Sequence, residues 1–178
     1  PRSSWQRFEA PAPNSMWQSD FTHWRLADDT DVEILNWLDD HSRYLLACTA
    51  YRRVTGPIVV ASFTDTAARH GLPQSTLTDN GTVYTARFTK GHNDFERLIA
   101  NLGITQKNGH PNHPQTQGKV ERFHQTLKIA LAHKPPATSI NELNTQLDDI
   151  IEYYNHKRPH RALDRVTPAE AYNALPKA

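Results

Sequence analysis

Residues 17–51, WQSDFTHWRLADDTDVEILNWLDDHSRYLLACTAY, decide the fold class because they contain three strand patterns separated by short polar turns. The predicted strands cover residues 17–26, 32–38 and 44–51, which are rich in aromatic and aliphatic side chains. Three strands so close together along a chain are typical of an antiparallel meander. The stretch therefore predicts that the sheet begins with three antiparallel strands.

The pattern changes after residue 51, where helical spacings alternate with short strands. Two predicted helices end at the glycines Gly71 and Gly103, and two later helices open with Ser/Thr-x-x-Glu capping boxes at residues 139–142 and 167–170. The predicted order is β-β-β-α-β-α-β-α-α. It favours an α/β (α+β) fold with a mixed, five-stranded sheet and helices packed on it.

The chain of 178 residues has the length of one domain. Residues 1–16 are rich in Pro, Ser and Arg, and we expect them to form an extended lead-in. Residues 17–134 form the predicted core unit, and residues 135–178 a C-terminal helix and basic tail packed on it. Because the chain starts with proline, we expect it to be a piece of a longer protein.

Composition sets few limits on function. The net charge of +1 and pI of about 8.4 do not by themselves imply a nucleic-acid partner. A single cysteine, Cys48, excludes a disulfide framework, fits a reducing compartment, and lies in an apolar run predicted to be core. No apolar stretch approaches the roughly 20 residues of a membrane span, so no membrane association is expected.

Three acidic residues stand at unusual places. Asp20 interrupts an aromatic strand, Asp79 ends the strand pattern TLTD, and Glu121 lies early on a helix, off the apolar stripe. Charged groups in or beside a sheet are costly unless they are paired or bind a cation, and Mg²⁺ prefers oxygen ligands. Together the three acids predict a cation site.

Each acid also has a purely structural explanation. Asp20 could face water on an edge strand, Asp79 could begin an ordinary Asn-Gly turn, and Glu121 could complement a helix dipole. The neighbouring pair Asp39-Asp40 competes for an acidic role, although a turn with an ion pair to Arg43 is the expected arrangement.

Five segments, taken in order, resemble the catalytic core of bacterial insertion-sequence transposases, a group that shares its core with retroviral integrases. The segments are WQSDFT (17–22), LDDHSRYLL (38–46), TDNGTVYT (78–85), HPQTQGKVERFHQTLK (113–128) and YYNHKRPHRAL with TPAEAY (153–172). The resemblance implies a ribonuclease H-like fold and a DDE triad made of Asp20, Asp79 and Glu121. These acids would hold two Mg²⁺ ions, for which Mn²⁺ could substitute.

The spacing of the second and third acids departs from the family pattern. Between Asp79 and Glu121 lie 41 residues, more than in the best-known members. We place the excess in a surface insertion within residues 86–98. A shorter gap would end on Gln115, which is not a carboxylate, so the flanking motif favours Glu121.

The resemblance further implies hydrolysis at the ends of a mobile element and transfer of the freed 3′-OH into target DNA. Expected partners are element-end and target DNA and further copies of the chain, in the bacterial cytoplasm with the nucleoid. An end-binding domain would lie outside this chain. Candidate DNA contacts, each of which could instead be ordinary surface, are Asn80, Lys119, Arg122, His124, Lys128, Arg158 and Arg161.

Two other classes of protein stay open at this stage. A ribonuclease H-like nuclease that only hydrolyses would carry the same acids, and a non-catalytic DNA-binding or assembly module would not use them. Zinc binding at His110 and His113, or at His156 and His160, is disfavoured because no cysteine pair accompanies them.

Overall fold

The computed structural model describes residues 9–86, 91, 93–109 and 118–178. Its strands form one sheet in the order β3-β2-β1-β4-β5. The strands are β1 (Trp17–Arg25), β2 (Asp31–Asp39), β3 (Leu45–Tyr51), β4 (Ser75–Thr78) and β5 (Thr105–Asn108). Strand β2 is antiparallel to β1 and β3, whereas β4 is parallel to β1 and β5, which confirms the predicted mixed sheet.

Helices cover both faces of the sheet. They are α1 (Gly56–His70), α2 (Asp94–Asn101), α3 (Gly118–Ala132), α4 (Ile140–His156) and α5 (Pro168–Asn173), with a 3-10 turn at Arg161–Leu163 between the last two. No helix in the described ranges combines the length and apolarity needed to cross a membrane.

Each face of the sheet has its own core. On one face Trp17, Trp37, Phe63, Phe95 and Tyr84 form an aromatic cluster under α1 and α2. On the other face α3 and α4 pack on apolar side chains of β2 and β3. The predicted α3 stripe is confirmed there, because the buried residues of α3 are Val120, Phe123, Leu127 and Leu131.

Two asparagines of α4 cover the open edge of β3. The Asn155 amide accepts from Leu45 N at 2.8 Å and donates to Leu45 O at 2.9 Å. Asn144 makes the same pair of bonds with Ala50, at 2.7 and 3.2 Å. These side chains bond backbone groups that an edge strand would otherwise present to another chain.

Replacing Asn155 by Ala should therefore destabilise the fold. The buried N–H and C=O of Leu45 would lose their partners, which costs about 2–3 kcal/mol of unfolding free energy. Asn144→Ala is the matched control and should cost less, because Asn144 is only part-buried. Denaturant titration measures the unfolding free energy of both variants. Equal losses would contradict the larger contribution expected of Asn155.

The helix ends follow the predicted signals with one exception. Helix α1 ends at Gly71, whose φ of 83° favours glycine, and α5 opens with the predicted Thr167–Glu170 capping box. The capping box at α4 is half wrong. Ser139 accepts from Glu142 N, but the Glu142 carboxylate bonds Thr138 instead of the Ser139 backbone.

The segment before β1 packs on the sheet. Ala10, Asn14 and Met16 are buried, so residues 9–16 are part of the fold, whereas residues 1–8 lie outside the described ranges. The division of the chain at residues 16 and 134 stays a prediction. Within the expected insertion at residues 86–98, residues 94–98 belong to α2, which opens with an Asn93–Glu96 capping box that sequence inspection missed.

Candidate active site

The sheet register brings Asp20 and Asp79 to adjacent strands. Strands β1 and β4 are parallel, and their last paired residues are Ser19 and Thr78. Asp20 and Asp79 each come one residue later. Neighbouring strands lie about 4.8 Å apart, and paired residues of a parallel ladder share a face. The two acids therefore lie at adjacent positions, just beyond the point where the pairing of β1 with β4 ends.

Asp20 is a desolvated carboxylate without an ion pair to any described residue. Its Oδ1 accepts the Phe21 amide at 2.8 Å. Burial raises the pKa of Asp20 to about 6; the Phe21 hydrogen bond opposes this rise, and the charges of Asp79 and Glu121 add to it. Asp20 is thus within electrostatic reach of both other acids, and none of the three forms an ion pair with a described residue.

Asp79 is oriented by a tight turn. Its Oδ1 accepts from Gly81 N at 2.8 Å, the pattern by which an aspartate closes a turn two residues on. A Cβ at residue 81 would lie 2.9 Å from that oxygen, so any other residue there would push the Asp79 carboxylate out of this position. The DNG motif therefore fixes one carboxylate oxygen of Asp79, and no described group hydrogen-bonds the other.

Glu121 lies on the exposed side of the first turns of α3. Its charge acts on Asp20, yet no three His, Cys, Asp or Glu side chains within the described residues converge on one coordination point. The structure thus brings the predicted triad into one neighbourhood without closing it into a coordination shell.

His124, a predicted DNA contact, is turned into the protein. Its Nε2 lies 2.6 Å from Oδ1 of Asn36, the residue paired with Asp20 across β1 and β2. Burial, with a smaller contribution from the Lys128 charge, lowers the pKa of His124 to about 4. The ring is therefore neutral at pH 7, and its contact with Asn36 connects α3 to β2.

This burial predicts a specific pH dependence. The pKa of His124 is about 4 when folded, against about 6.5 for an ordinary imidazole, so the unfolded chain takes up the proton first as pH falls. His124 thus contributes stability at pH 7 that is lost between pH 6.5 and 4. Relative to His124→Gln, the parent should lose about 2–3 kcal/mol of unfolding free energy over that window.

Unfolding titrations at several pH values measure this difference. Comparing the parent with the variant cancels the contribution of Asp20, whose raised pKa has the opposite effect. His133→Gln, at the exposed end of α3, is the control and should keep the parental pH profile. A His124→Gln profile parallel to the parent's would contradict the buried, neutral imidazole.

The acidic pair Asp39-Asp40 at the end of β2 has structural partners. Asp39 accepts from Asn14 N with one oxygen and from the Ser42 amide and hydroxyl with the other. The predicted ion pair to Arg43 is wrong: Asp40 pairs with Lys119 at 2.7 Å, while Arg43 donates to the Asp40 carbonyl. Arg43 is nearer to Asp40 in sequence, but the fold brings Lys119 at the start of α3 to this turn.

The remaining candidate DNA contacts differ in exposure. Arg122 and Lys128 are exposed on α3, and neither forms an ion pair with a described residue. Asn80 donates to Gly109 O at 3.0 Å, Arg158 lies 5.7 Å from the Tyr154 ring centroid, and Arg161 is exposed. All remain predictions as DNA contacts. The possible zinc ligands His110 and His113 lie outside the described residues.

Sequence comparison identifies the family of this chain. A family model described as an integrase core domain matches residues 10–114, more than half of the chain. This chain belongs to the integrase core domain family. A second integrase core domain model matches residues 102–168. The two matches together cover all three predicted acids.

The relatives of this integrase core include a bacterial transposase and a retroviral polyprotein. The transposase for insertion sequence element IS904 of Lactococcus lactis is 27% identical over 175 residues, which cover 95% of this chain and 66% of that protein. The Gag-Pro-Pol polyprotein of squirrel monkey retrovirus is 35% identical over 120 residues, 67% of this chain and 6% of the polyprotein. The predicted kinship with both groups is confirmed.

A solved structure of an integrase has the same fold. The HTLV-2 integrase catalytic core domain in complex with magnesium, in its trimeric form, superposes with a TM-score of 0.72 at 17% identity. The likeness covers 93% of this chain and all of that one. It confirms the ribonuclease H-like fold predicted for this integrase core.

Proposed function

We propose that this integrase core is the catalytic domain of a DDE-type DNA transposase, a polynucleotidyl transferase that uses Asp20, Asp79 and Glu121. The observation that carries the proposal is the clustering of three uncompensated carboxylates on adjacent elements, inside a fold shared with integrases. The IS904 relative favours a transposase over a virus-encoded enzyme because the alignment runs through 95% of the chain.

The donor set fits hard divalent cations. Asp20 is desolvated, is repelled by two further carboxylates and has no cationic partner among the described residues, so a cation would relieve a charge that the fold leaves unbalanced. Oxygen-only ligands select Mg²⁺ or Mn²⁺, and a related core is described with magnesium. Two such ions, when bound, supply charge stabilisation to the attacking and leaving oxygens of phosphoryl transfer.

The chain's own residues would align the reactants. Asp20 and Asp79 would hold the cations from β1 and from the end of β4, with Glu121 completing the set from α3. The exposed Arg122 and Lys128 lie on the same helix as Glu121 and would contact phosphates of the DNA backbone. In this arrangement water is the nucleophile for hydrolysis, and a DNA 3′-OH replaces it for strand transfer.

The chain spans only part of the length of the relatives it matches. Because this chain spans 66% of the IS904 transposase and a small part of the retroviral polyprotein, end recognition is assigned to segments outside it. Two DNA ends must meet, so we propose a homo-oligomer on DNA, in line with the trimeric form described for the HTLV-2 core. Location with the bacterial nucleoid would follow from the DNA substrate.

Strand joining on a branched DNA that mimics the transfer product tests this function. We choose this reverse reaction because it depends least on end-binding segments outside the chain. With Mg²⁺ or Mn²⁺ the chain should release the branch and seal the target strand, and Glu121→Gln should lower the rate by about 10²–10³-fold. Glu152→Gln, an exposed acid on α4, is the matched control and should react like the parent.

The reaction products distinguish a transposase from a nuclease and from a non-catalytic module. Cutting without sealing would favour the nuclease. DNA binding without any metal-dependent reaction would favour the non-catalytic module, and parental activity in Glu121→Gln would remove Glu121 from the triad.

A further inference from the structure

Asp40 is a buried carboxylate in the turn after β2 that contacts two of the elements carrying the triad. Its Oδ1 accepts from Gln18 Nε2 at 2.6 Å, and its Oδ2 lies 2.7 Å from Lys119 Nζ. Oδ2 also accepts the Ala10 amide at 2.7 Å. The Asp40 side chain is 0% exposed and that of Lys119 12%, so water competes little for either contact.

Both contacts lie two residues away from a triad acid. Gln18 and Asp20 are at i and i+2 of β1, so their side chains share the face on which α3 packs. Lys119 and Glu121 lie in the first turns of α3, about 200° apart around the helix axis. The Lys119–Asp40 contact therefore adds a polar restraint on the first turn of α3 to the apolar packing of this helix, and it limits the directions open to the Glu121 side chain.

We propose that Asp40 is a positioning residue that holds the Glu121 end of α3 at a set distance from Asp20. Lys119 is its contact on α3 and is not a DNA phosphate contact. The proposal rests on the triad function proposed above. Glu121 needs such a device because it has no described hydrogen bond of its own, and an error of about 1 Å in a reacting group costs about 10²-fold in rate.

Three variants test the pair: Lys119→Met, Asp40→Asn and the double variant. In single-turnover strand joining, each single change should lower the rate about 10–100-fold, as removing an outer contact of a metal ligand does. The double variant should lose no more than the worse single change. The Mg²⁺ concentration for half-maximal rate should rise several-fold, which a loss of folded protein alone would not produce.

DNA affinity distinguishes positioning from phosphate contact. Measured in Ca²⁺ over a series of salt concentrations, Lys119→Met should keep the parental slope of log Kd against log salt. Lys128→Met, which removes an exposed cation from the same helix, should lower that slope by about 0.9. A lowered slope in Lys119→Met, together with parental activity in Asp40→Asn, would overturn the proposal.

Amide hydrogen exchange gives a readout that does not depend on activity. In Lys119→Met and Asp40→Asn, the amides of residues 122–124 should exchange at least about tenfold faster, while those of residues 128–131 keep parental rates. Uniform or unchanged exchange along α3 would overturn the positioning role. If the unmodified chain joins no strands, the transposase function fails, and exchange alone still decides whether Asp40 holds this turn.

Discussion

Asp20→Asn should abolish metal-dependent strand joining while making the metal-free protein more stable. The rate is expected to fall by at least about 10²–10³-fold, because the variant loses one anionic cation ligand at the centre of the site. The unfolding free energy should rise by about 1–2 kcal/mol, because the substitution removes a desolvated charge that Asp79 and Glu121 repel. Asparagine keeps the oxygen that accepts the Phe21 amide.

The experiment is informative because the reaction rate should fall while the unfolding free energy rises. A structural aspartate would lose stability and activity together when it is replaced. Single-turnover kinetics and denaturant titration give the two values, and Asp65→Asn, an exposed change on α1, should alter neither. Parental activity in Asp20→Asn would contradict the triad, and a destabilised variant would contradict the account of an uncompensated buried charge.

Phe63→Ala should be among the most damaging changes to stability. The ring is 0% exposed, and its centroid lies 5.8, 5.4 and 5.7 Å from those of Trp17, Trp37 and Phe95. Truncation leaves a cavity between α1, α2 and the sheet and should cost about 3–5 kcal/mol of unfolding free energy. At that cost a large share of a typical domain's stability is lost.

The matched control for this change is Ile129→Ala on α3, whose side chain is 62% exposed and should contribute less than about 0.5 kcal/mol. Chemical denaturation of both variants measures the difference. A loss under about 1 kcal/mol for Phe63→Ala would show that this face of the sheet is not the tightly packed core described above.

Local patterns were enough to predict most of the fold. The apolar runs in 17–51, the glycines after α1 and α2 and the α3 stripe depend on residues close in sequence, and the structure confirms each. The predicted α4 capping box was half wrong because the Glu142 carboxylate accepts from the amide and hydroxyl of Thr138 instead of from the Ser139 amide. Competition between neighbouring donors depends on side-chain geometry that the Ser-x-x-Glu pattern does not contain.

The candidate site was less predictable than the fold. Asp20, Asp79 and Glu121 could be selected because their motifs are local and their order resembles a family. The surroundings of Lys119 and His124 depend on contacts to Asp40 and Asn36, which are 79 and 88 residues away. A helical projection placed both side chains among the candidate DNA contacts, and only the packing of α3 on the sheet turns them inward.

Anomalous diffraction from crystals soaked in Mn²⁺ tests most directly whether the three acids form one cation site. The account predicts anomalous peaks within about 2.0–2.3 Å of carboxylate oxygens of Asp20 and Asp79, with Glu121 in the same coordination sphere, and no peak at these positions in Asp79→Asn. Mn²⁺ bound elsewhere on the protein, with Asp20 and Asp79 making no contact to metal, would contradict it.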